Sequence, residues 1–410
     1  MTYQIQLKIE ALSPLAIGRQ KPGGSVSEAE SYIPGTVIRG AIASEILRRS
    51  PQPEPGDDFH SLFLSDTAGI FQNAYPAIAK VEDKVTLLSG EVGVLPATAV
   101  SSKTNSGFKS NPKNHGVFDT LIDRFCAEGY NHPYDPNCPV DGGRVEPYGG
   151  LYSRVDDKRY YQPSIATRLL TRVGINRRRA TSEEQVLYSI EVLNEVEGKQ
   201  DTTATYRGNI LVEDEELAIS LTDFINSHTF RLGGSASRGL GKAQITATRS
   251  TVTATLASRI DQFNQELQKR WQTWQIFGEP HQDLLADRTY FTLDLQSDAI
   301  LAENWQRTTV ISPTMLQQFS GVDDSSLQLH VAYTSYDYRS GWNAAWGLMK
   351  DVELVTNKSA VYLFSTAQPQ LWMPALERLQ MRGVGDRTSE GFGQLQVCNH
   401  FHLVFREKAV

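Results

Sequence analysis

The sequence predicts an α+β fold built from two related halves, and three observations support this prediction. A helix, a glycine-rich loop and a short strand follow one another twice, at 231–245 and at 381–397. An alternating strand pattern opens each half, at 4–16 and at 290–295. Strands and helices do not alternate regularly, which argues against a doubly wound parallel sheet.

The elements of the first half follow from their apolar spacing. The strand at 4–16 begins with apolar residues at every second position from Ile5 to Ala11. A turn at 33–36 leads to a helix at 37–49 with one apolar face. The other predicted elements of this half are an extended segment at 71–76, strands at 186–196 and 208–213, and a helix at 215–230.

The second half follows an amphipathic helix at 256–274, whose apolar residues recur at three- and four-residue steps. After the strand at 290–295, the predicted elements are strands at 327–333 and 359–364, a helix at 374–380 and a strand at 395–405. Each half therefore matches a split β-α-β-β-α-β unit. The predicted boundaries are a first domain at 1–250, a bridging helix and linker at 251–287, and a second domain at 288–410.

One long segment of the first half shows little regular pattern. Residues 84–165 are rich in glycine, proline, asparagine, tyrosine and aspartate. Because a compact domain rarely contains a plain loop of this length, the segment is interpreted as an inserted subdomain.

Composition limits the function classes. The 410 residues include 40% hydrophobic and 21% charged residues, which is typical of a globular protein. No run is long and apolar enough for a membrane-spanning helix, and the beginning does not resemble a signal peptide. Three cysteines predict a reducing, cytoplasmic location without a disulfide framework. The net charge of −7 disfavours a free-standing nucleic-acid binder but allows a subunit that holds a strand locally within a larger assembly.

The two glycine loops are the main candidate site. Glycines let backbone N–H groups approach a polyanion closely, and both loops also carry basic residues. Phosphate-binding loops of mononucleotide enzymes follow a strand and open a helix, which is the reverse of the order here. A sharp connection between a helix and a strand explains either loop alone, whereas their repetition and their basic residues favour binding. The candidate residues are Gly233, Gly234, Ser235, Ser237, Arg238, Gly239, Gly241 and Lys242 in the first loop, and Arg382, Gly383, Gly385, Arg387, Gly391 and Gly393 in the second.

A set of ordered segments resembles the RAMP superfamily of CRISPR-associated proteins. The segments are IPGTVIRGAI at 33–42, LPATAVSSKTNSGF at 95–108, HGVFDTL at 115–121, CPVDG at 138–142, INRRR at 175–179, LY at 187–188, RSGWN at 339–343 and the two glycine loops. In this order they look like the large double-RAMP subunit of type III-D CRISPR effector complexes.

The resemblance implies a fold and a role. Tandem ferredoxin-like (RRM-like) domains would each place a glycine loop between the last helix and the last strand. The chain would be a non-catalytic, RNA-binding subunit that caps the 5′ handle of crRNA in antiviral defence. Its partners would be crRNA, the large polymerase-like signalling subunit and the first backbone RAMP subunit, with target RNA contacted indirectly and no membrane involved.

An arginine run adds a second candidate RNA site. Capture of an RNA strand needs cations for phosphates and polar groups for base edges. In an extended segment Arg177 and Arg179 would share one face, and Asn176 could contact a base. A solvated charge run paired with Glu183 and Glu184 is the alternative. The candidates here are Asn176, Arg177, Arg178 and Arg179, to which Arg39 is added because it lies near the start of a helix that matches the family.

The resemblance also implies a zinc-ribbon-like insertion, which is degenerate here. Asp141 stands where a second cysteine of the CPVD turn is expected, and serines replace the earlier cysteine pair at 101 and 102. Zinc in a structural site requires four cysteine or histidine ligands. The weak candidates are Cys126, Cys138, His115 and His132, and a metal-free remnant without a cofactor is the favoured interpretation.

Catalysis has little support, and two alternatives remain. A RAMP endoribonuclease that processes crRNA would need a base such as His60 and a cation at the phosphate. Asp119 and Asp123 lie in the insertion without a glycine-rich clamp beside them. A mainly protein-binding scaffold is the second alternative. It fits the acidic charge and the aromatic stretch around Arg339, namely Tyr336, Tyr338, Trp342 and Trp346.

Overall fold

The computed structural model describes residues 2–19, 28–65, 67–82, 84–155, 159–176, 181–251, 256–280, 284–343 and 347–410. The helices in these ranges are α1 Gly35–Arg49, α2 Asp58–Phe63, α3 Leu121–Gly129, α4 Glu215–Asn226, α5 Leu256–Trp274, α6 Pro313–Ser320 and α7 Pro369–Arg382. Of these helices, none combines the length and the apolar character needed to span a lipid bilayer.

The strands of the first half and its insertion are β1 Tyr3–Ala11, β2 Gly18–Arg19, β3 Glu28–Ala29, β4 Ile70–Phe71, β5 Tyr75–Pro76, β6 Ile78–Val81, β7 Lys84–Leu87, β8 Val92–Val94, β9 Ala99–Ser102, β10 Val117–Asp119, β11 Val145–Pro147, β12 Leu151–Arg154, β13 Tyr160–Tyr161, β14 Thr167–Asn176, β15 Thr181–Leu193, β16 Val196–Glu197, β17 Thr202–Thr203, β18 Thr205–Val212, β19 Thr229–Arg231 and β20 Lys242–Thr251. Those of the second half are β21 Thr289–Leu295, β22 Leu301–Glu303, β23 Gln306–Thr308, β24 Gln328–Tyr333, β25 Tyr336–Asn343, β26 Leu348–Thr356, β27 Val361–Thr366 and β28 Leu395–Val397. The chain thus mixes helices with sheets, as the α+β prediction requires.

The N-terminal sheet is antiparallel, with the strand order β19-β20-β1-β18-β4 and with β5 also paired to β18. The alternation predicted for β1 places Ile5, Leu7 and Ile9 in the core, at 0–2% exposure. The apolar faces of α1 and α4 cover this side of the sheet. Apart from the short strand β19, the order across the sheet is fourth, first, third, second.

The C-terminal sheet is also antiparallel, with the order β24-β27-β21-β28 and therefore the same fourth, first, third, second arrangement. Its central strand β21 is buried on both sides. Phe291 contacts Trp372 of α7 with ring centroids 5.8 Å apart, while Tyr290 on the opposite face contacts Phe125 of α3 at 5.5 Å. The long helix α5 contributes Ile260 and Phe263 to the same core.

The insertion contains more regular structure than the sequence indicated. It has two small sheets, β13-β12-β8 and β10-β9-β11, together with α3. The aromatic core of these sheets includes Phe401 and Val404 from the end of the chain. Val117 of β10 and Val410 exchange backbone hydrogen bonds of 2.8 and 3.0 Å. The last residues of the chain therefore complete the insertion.

Several predicted boundaries differ from the observed ones; the strand predicted over 4–16, for example, ends at Ala11. Three other differences have a clear physical reason. The helix predicted to 230 ends at Asn226, because β19 pairs with β20 before the first glycine loop. The helix predicted from 374 begins at Pro369, since proline is compatible with the first turn of a helix. The strand predicted over 395–405 ends at Val397, after which Cys398 has a positive φ of 49° and two 3₁₀ turns follow.

Each half carries a long two-stranded hairpin between the second and third strands of its sheet. These are β14–β15 in the first half and β25–β26 in the second. Arg177, Arg178 and Arg179 lie outside the described residues, in the connection between β14 and β15. Asn176 is the last residue of β14, and its side chain is not described.

Candidate functional site

The first glycine loop is held by the segment that follows β1. The Gly241 N–H donates to the Pro14 carbonyl at 2.9 Å, and the Gly234 N–H donates to the Ala16 carbonyl at 2.8 Å. Between these contacts Ser235 has a left-handed backbone, with φ 58°, and a 3₁₀ turn follows. The loop is therefore anchored at both ends and projects between them.

The second glycine loop repeats this pattern at the equivalent positions. The Gly393 N–H donates to the Asp298 carbonyl at 2.8 Å, and the Asp386 N–H donates to the Ile300 carbonyl at 2.9 Å, both after β21. Arg387 has φ 57° and also precedes a 3₁₀ turn. The repeat seen in the sequence is thus a repeat of backbone geometry.

Glycine is required in both loops by close backbone approach. At Gly241, which has φ 83°, an added Cβ would lie 2.5 Å from the Leu232 carbonyl oxygen. At Gly393, which has φ 66°, it would lie 1.8 Å from the Val384 carbonyl oxygen. L-residues rarely adopt such backbone angles. Chain packing therefore accounts for these glycines, and evidence for binding has to come from the side chains.

Three polar side chains of the first loop face solvent. Ser237, Arg238 and Lys242 are exposed. The Arg238 guanidinium lies 5.2 Å from the centre of the Tyr188 ring on β15, where it gains from a cation–π contact. Because backbone and cations are accessible together, this loop can contact a phosphate-bearing strand.

The second loop is neutralised by ion pairs. Glu390 accepts from Arg387 at 2.6 Å and from Lys350 of β26 at 3.0 Å. Burial alone would raise the pKa of Glu390, but the hydrogen bonds and charges of Arg387 and Lys350 outweigh it and hold the pKa at about 2. Arg382 pairs with Glu213. The cations predicted here are thus already matched by carboxylates.

The second loop also packs against the first half. Gly391 is buried, and an added Cβ would lie 2.9 Å from the Phe71 carbonyl oxygen of β4. Arg39 of α1 donates to the Phe63 carbonyl and lies over the Phe63 ring at 5.4 Å. Burial lowers the pKa of Arg39, and the nearby Glu390 opposes that effect. The structure therefore places Arg39 beside the second loop.

The described part of the β14–β15 hairpin carries two arginines and contacts the first loop. Arg172 is exposed, and Arg168 donates to Asn194 at 3.0 Å and to Glu195 at 2.9 Å. Leu240 of the first loop packs with Val192 of β15 in a small apolar cluster. The base of the hairpin that carries the predicted arginine run thus packs against the first glycine loop.

The metal candidates separate into two places. His115, Cys138 and Asp141 have donor atoms within 4.8 Å of one another. No such group among the described residues includes Cys126 or His132. The Cys126 side chain is buried in the core with α5, and the His132 ring lies 4.2 Å from the Phe277 ring.

The three donors fall one ligand short of a closed tetrahedral zinc site. Asp141 occupies the position at which the family resemblance implies a second cysteine. A hydrogen bond from the Cys138 thiol lowers the pKa of Asp141, and the His115 Nδ1 lies 3.1 Å from the Asp141 carboxylate. This turn is therefore held by hydrogen bonds and charge within the chain, and the donor set does not match a structural zinc centre.

The acidic pair considered for catalysis is buried. Asp119 is 2% exposed, and its carboxylate accepts from Thr98 at 2.6 Å. Asp123 lies 3.8 Å from Arg270. His60 lies in α2, where its backbone N–H donates to the cap residue Asp57 at 2.7 Å. The structure does not bring these residues together with either glycine loop.

A buried histidine between two carboxylates was missed by sequence reasoning. His402 Nε2 lies 2.7 Å from Asp294 of β21, and Nδ1 lies 3.1 Å from Asp119 of β10, where the contact is a charge contact outside hydrogen-bond geometry. Burial opposes protonation, but Asp294 and Asp119 outweigh it and raise the pKa of His402 to about 10. No local spacing in the sequence links these three positions.

Comparison with known proteins identifies the family of this chain. The family model of the RAMP superfamily matches residues 8–244, and the chain belongs to that superfamily. No curated protein sequence matches the chain.

The solved structures that match the chain do so at low identity and low TM-score. A chain of a type III-B Cmr-beta complex bound to cognate target RNA has 10% identity and a TM-score of 0.43, covering 95% of this chain and 96% of its own. A chain of the same kind of complex bound to cognate target RNA and AMPPnP has 11% identity and a TM-score of 0.41, covering 91% and 88%. Oligomeric Cmr4 from Pyrococcus furiosus has 10% identity and a TM-score of 0.27, covering 61% and 99%.

Proposed function

We propose that this chain is a non-catalytic RNA-binding subunit of a type III, III-D-like, CRISPR effector ribonucleoprotein that caps the 5′ handle of crRNA. The observation that carries the proposal is the exposed first glycine loop, in which Arg238 and Lys242 accompany accessible backbone. Membership of the RAMP superfamily supports it. Phosphate contacts made by such cations and amides position an RNA strand without reading its sequence.

In this proposal the two halves are tandem ferredoxin-like (RRM-like) modules. Their common strand order, fourth-first-third-second, supports the assignment. So does the position of each glycine loop between the last helix and the last strand of its sheet. The insertion is then a degenerate zinc-ribbon-like element without a metal cofactor.

The partners in this proposal are crRNA, the large polymerase-like subunit and a backbone RAMP subunit, with target RNA contacted indirectly. We assign a protein contact to the β25–β26 hairpin. Tyr336 and Met349 there are 61% and 67% exposed, whereas the cations of this hairpin, Arg339 and Lys350, are bound to carboxylates. An exposed apolar surface without available cations suits a protein partner better than RNA.

The test is crRNA retention in the reconstituted complex. Arg238→Glu, and separately Arg177→Glu with Arg179→Glu, should weaken retention several-fold. Each variant should also reduce the salt dependence of binding, because phosphate contacts are lost. Arg382→Glu is the matched control, since Arg382 is exposed in the second loop but already paired with Glu213. Handle crosslinks should fall on residues 233–242.

Three results would contradict the proposal. The first is unchanged retention in both sets of variants. The second is a handle that crosslinks exclusively to other subunits. The third is specific cleavage of repeat RNA by the isolated chain that is lost in His60→Ala, which would instead establish a RAMP endoribonuclease.

A further inference from the structure

The N-terminal sheet has a polar face turned away from its core. Along β1 the burial alternates strictly, with Ile5, Leu7 and Ile9 buried and Gln6 exposed. On β20 the same alternation leaves Thr246 and Thr248 exposed. Residues directly opposite one another in an antiparallel sheet share a face. The exposed rows of β1 and β20 therefore form one continuous surface.

The register identifies the side chains on this face. Gln6 lies opposite both Asn209 of β18 and Thr248 of β20. Lys8 lies opposite both Arg207 of β18 and Thr246 of β20. We define the open face by these six residues: Gln6, Lys8, Thr246, Thr248, Arg207 and Asn209.

The open face is continuous with the first glycine loop. Arg231, the last residue of β19, lies opposite Lys242, the first residue of β20. Both are exposed, and the loop connects them. The cations of the loop therefore share one face with Lys8 and Arg207, with Glu10 and Gln244 between them.

Charge on this surface differs from that of the whole chain. Glu10 is the acidic residue on this side of β1, and it pairs with Lys8 at 2.8 Å while both side chains remain partly exposed. Four cations, Arg231, Lys242, Lys8 and Arg207, thus accompany one carboxylate in a chain of net charge −7. Such a local excess attracts a polyanion.

The chemistry of the open face favours nucleotide edges over a protein surface. The six residues include no aromatic or aliphatic side chain, whereas the cores of protein interfaces are apolar and rich in aromatic residues. Glutamine and asparagine present a donor and an acceptor together, which matches the edge of a base. Bases held here would therefore be contacted by hydrogen bonds instead of by aromatic stacking.

We propose that the open face binds single-stranded RNA contiguous with the strand held at the first glycine loop, and that Gln6 and Asn209 read base edges there. The inference rests on the proposed function. Asn209 Nδ2 already donates to Gln72 Oε1 at 3.0 Å, which fixes the orientation of that amide. Lys8 would then lie near the phosphates between the contacted bases. Arg207, which donates to the Ser89 carbonyl at 2.7 Å, would add its charge beside it.

The experiment measures binding of the full chain to fluorescent single-stranded RNAs of the repeat handle, with each position changed in turn. Gln6→Leu keeps the size of the side chain and removes its hydrogen bonds. We expect it to reduce the preference for one base at one or two positions about tenfold, because a bidentate pair discriminates by that order. The salt dependence should not change. Gln328→Leu, at an exposed strand position of the C-terminal sheet, is the matched control and should have no effect.

The outcomes separate this inference from the function on which it rests. Absence of handle binding by the wild-type chain and by the assembled complex would overturn both. Wild-type binding that is weakened by Arg238→Glu but has the same base preference in Gln6→Leu would overturn the open-face inference alone. Equal loss for every RNA, or loss of subunit assembly without RNA, would also overturn it. Each variant should unfold at the same temperature as the wild type, so that a change in binding does not result from misfolding.

Discussion

The two halves of the molecule share a strand order but differ in what covers their sheets. In the first half β1 is buried on one side and exposed on the other, with Gln6 open to solvent. In the second half the equivalent strand β21 is buried on both sides, under α7 on one face and under α3 and α5 on the other. Two sheets with the same strand order therefore need not have the same accessible surface.

The glycine loops differ in the same sense. Arg238 and Glu390 occupy equivalent positions, as the last residue of each 3₁₀ turn and directly before a glycine. Arg238 is exposed beside an aromatic ring, whereas Glu390 accepts from Arg387 and Lys350. The two loops share one backbone geometry but carry opposite charges at this position. The first loop can therefore attract phosphate, whereas the second is held by ion pairs within the protein.

The hairpins complete the contrast. Arg172 is exposed on the first hairpin, while Arg339 on the second is turned inward and bound to Asp298 at 2.7 Å and to Glu30. One half thus presents cations and polar groups, and the other uses its charges internally. We infer that the first half is the binding half and the second is the structural half.

The largest effect should come from His402, which links β21 of the C-terminal sheet to β10 of the insertion through Asp294 and Asp119. His402→Ala would leave Asp119 and Asp294 buried without a cation. Breaking a buried charge arrangement in this way typically costs about 3–5 kcal/mol. Chemical unfolding at neutral pH measures this loss of unfolding free energy. His228→Ala, a partly exposed histidine of the first half, should cost less than about 1 kcal/mol.

The pH dependence gives the same prediction a second test. The pKa of His402 is raised to about 10 in the folded protein, against about 6.5 in an unfolded chain. Its contribution to stability is therefore complete below pH 6.5 and is lost as the pH rises toward 10. The difference in unfolding free energy between wild type and His402→Ala should shrink over that interval. A difference that is constant with pH would show that the imidazolium charge of His402 does not stabilise its contacts with Asp294 and Asp119.

Substitution of a tightly packed glycine and of an open glycine should have the next largest effects. Gly393→Ala would place a methyl group 1.8 Å from the Val384 carbonyl, whereas Gly239→Ala meets nothing within 4 Å and carries the cost of its φ of 88° alone. We expect the first to lower stability by several kcal/mol and the second by about 1 kcal/mol. Thermal unfolding compares them. Equal costs would mean that the tight turn at Gly393 relaxes around the added methyl group.

Much of the framework could be predicted from sequence because it depends on local periodicity. The helix at 256–274 coincides with α5, and the alternation at 290–295 falls within β21. The 3.6-residue period of α5 reports its one apolar face against the core. The alternation at 290–295 located the strand, but β21 is buried on both faces. The order of helix, glycine loop and strand was also correct, apart from the short β19 in the first copy.

The differences between the halves could not be predicted in this way. The cover over β21 comes from α3, about 165 residues earlier in the chain, and from His402, about 108 residues later. From the sequence, Arg387 is predicted to bind phosphate. In the structure it pairs with Glu390, which also pairs with Lys350. Local patterns identify which residues are charged, whereas the three-dimensional partners decide which charges remain available.

The smallest and sharpest effect concerns Glu390. Glu390→Gln keeps the shape but leaves Arg387 and Lys350 without a counter-charge, which should cost about 1–3 kcal/mol of stability near neutral pH. The pKa of Glu390 is held at about 2, below the value near 4.3 of an unfolded chain, so its contribution is present above pH 4.3 and is lost as the pH falls through 2. Chemical unfolding at a series of pH values should show the difference between the two proteins closing over that range.

RNA binding by the same variant distinguishes the halves directly. Glu390→Gln frees two cations in the second loop. If that loop packs against protein and not RNA, crRNA affinity and its salt dependence should stay at the wild-type values, while Arg238→Glu lowers both. A salt dependence that steepens by about one phosphate contact in Glu390→Gln would instead place the second loop on the RNA, and the division into a binding half and a structural half would fail.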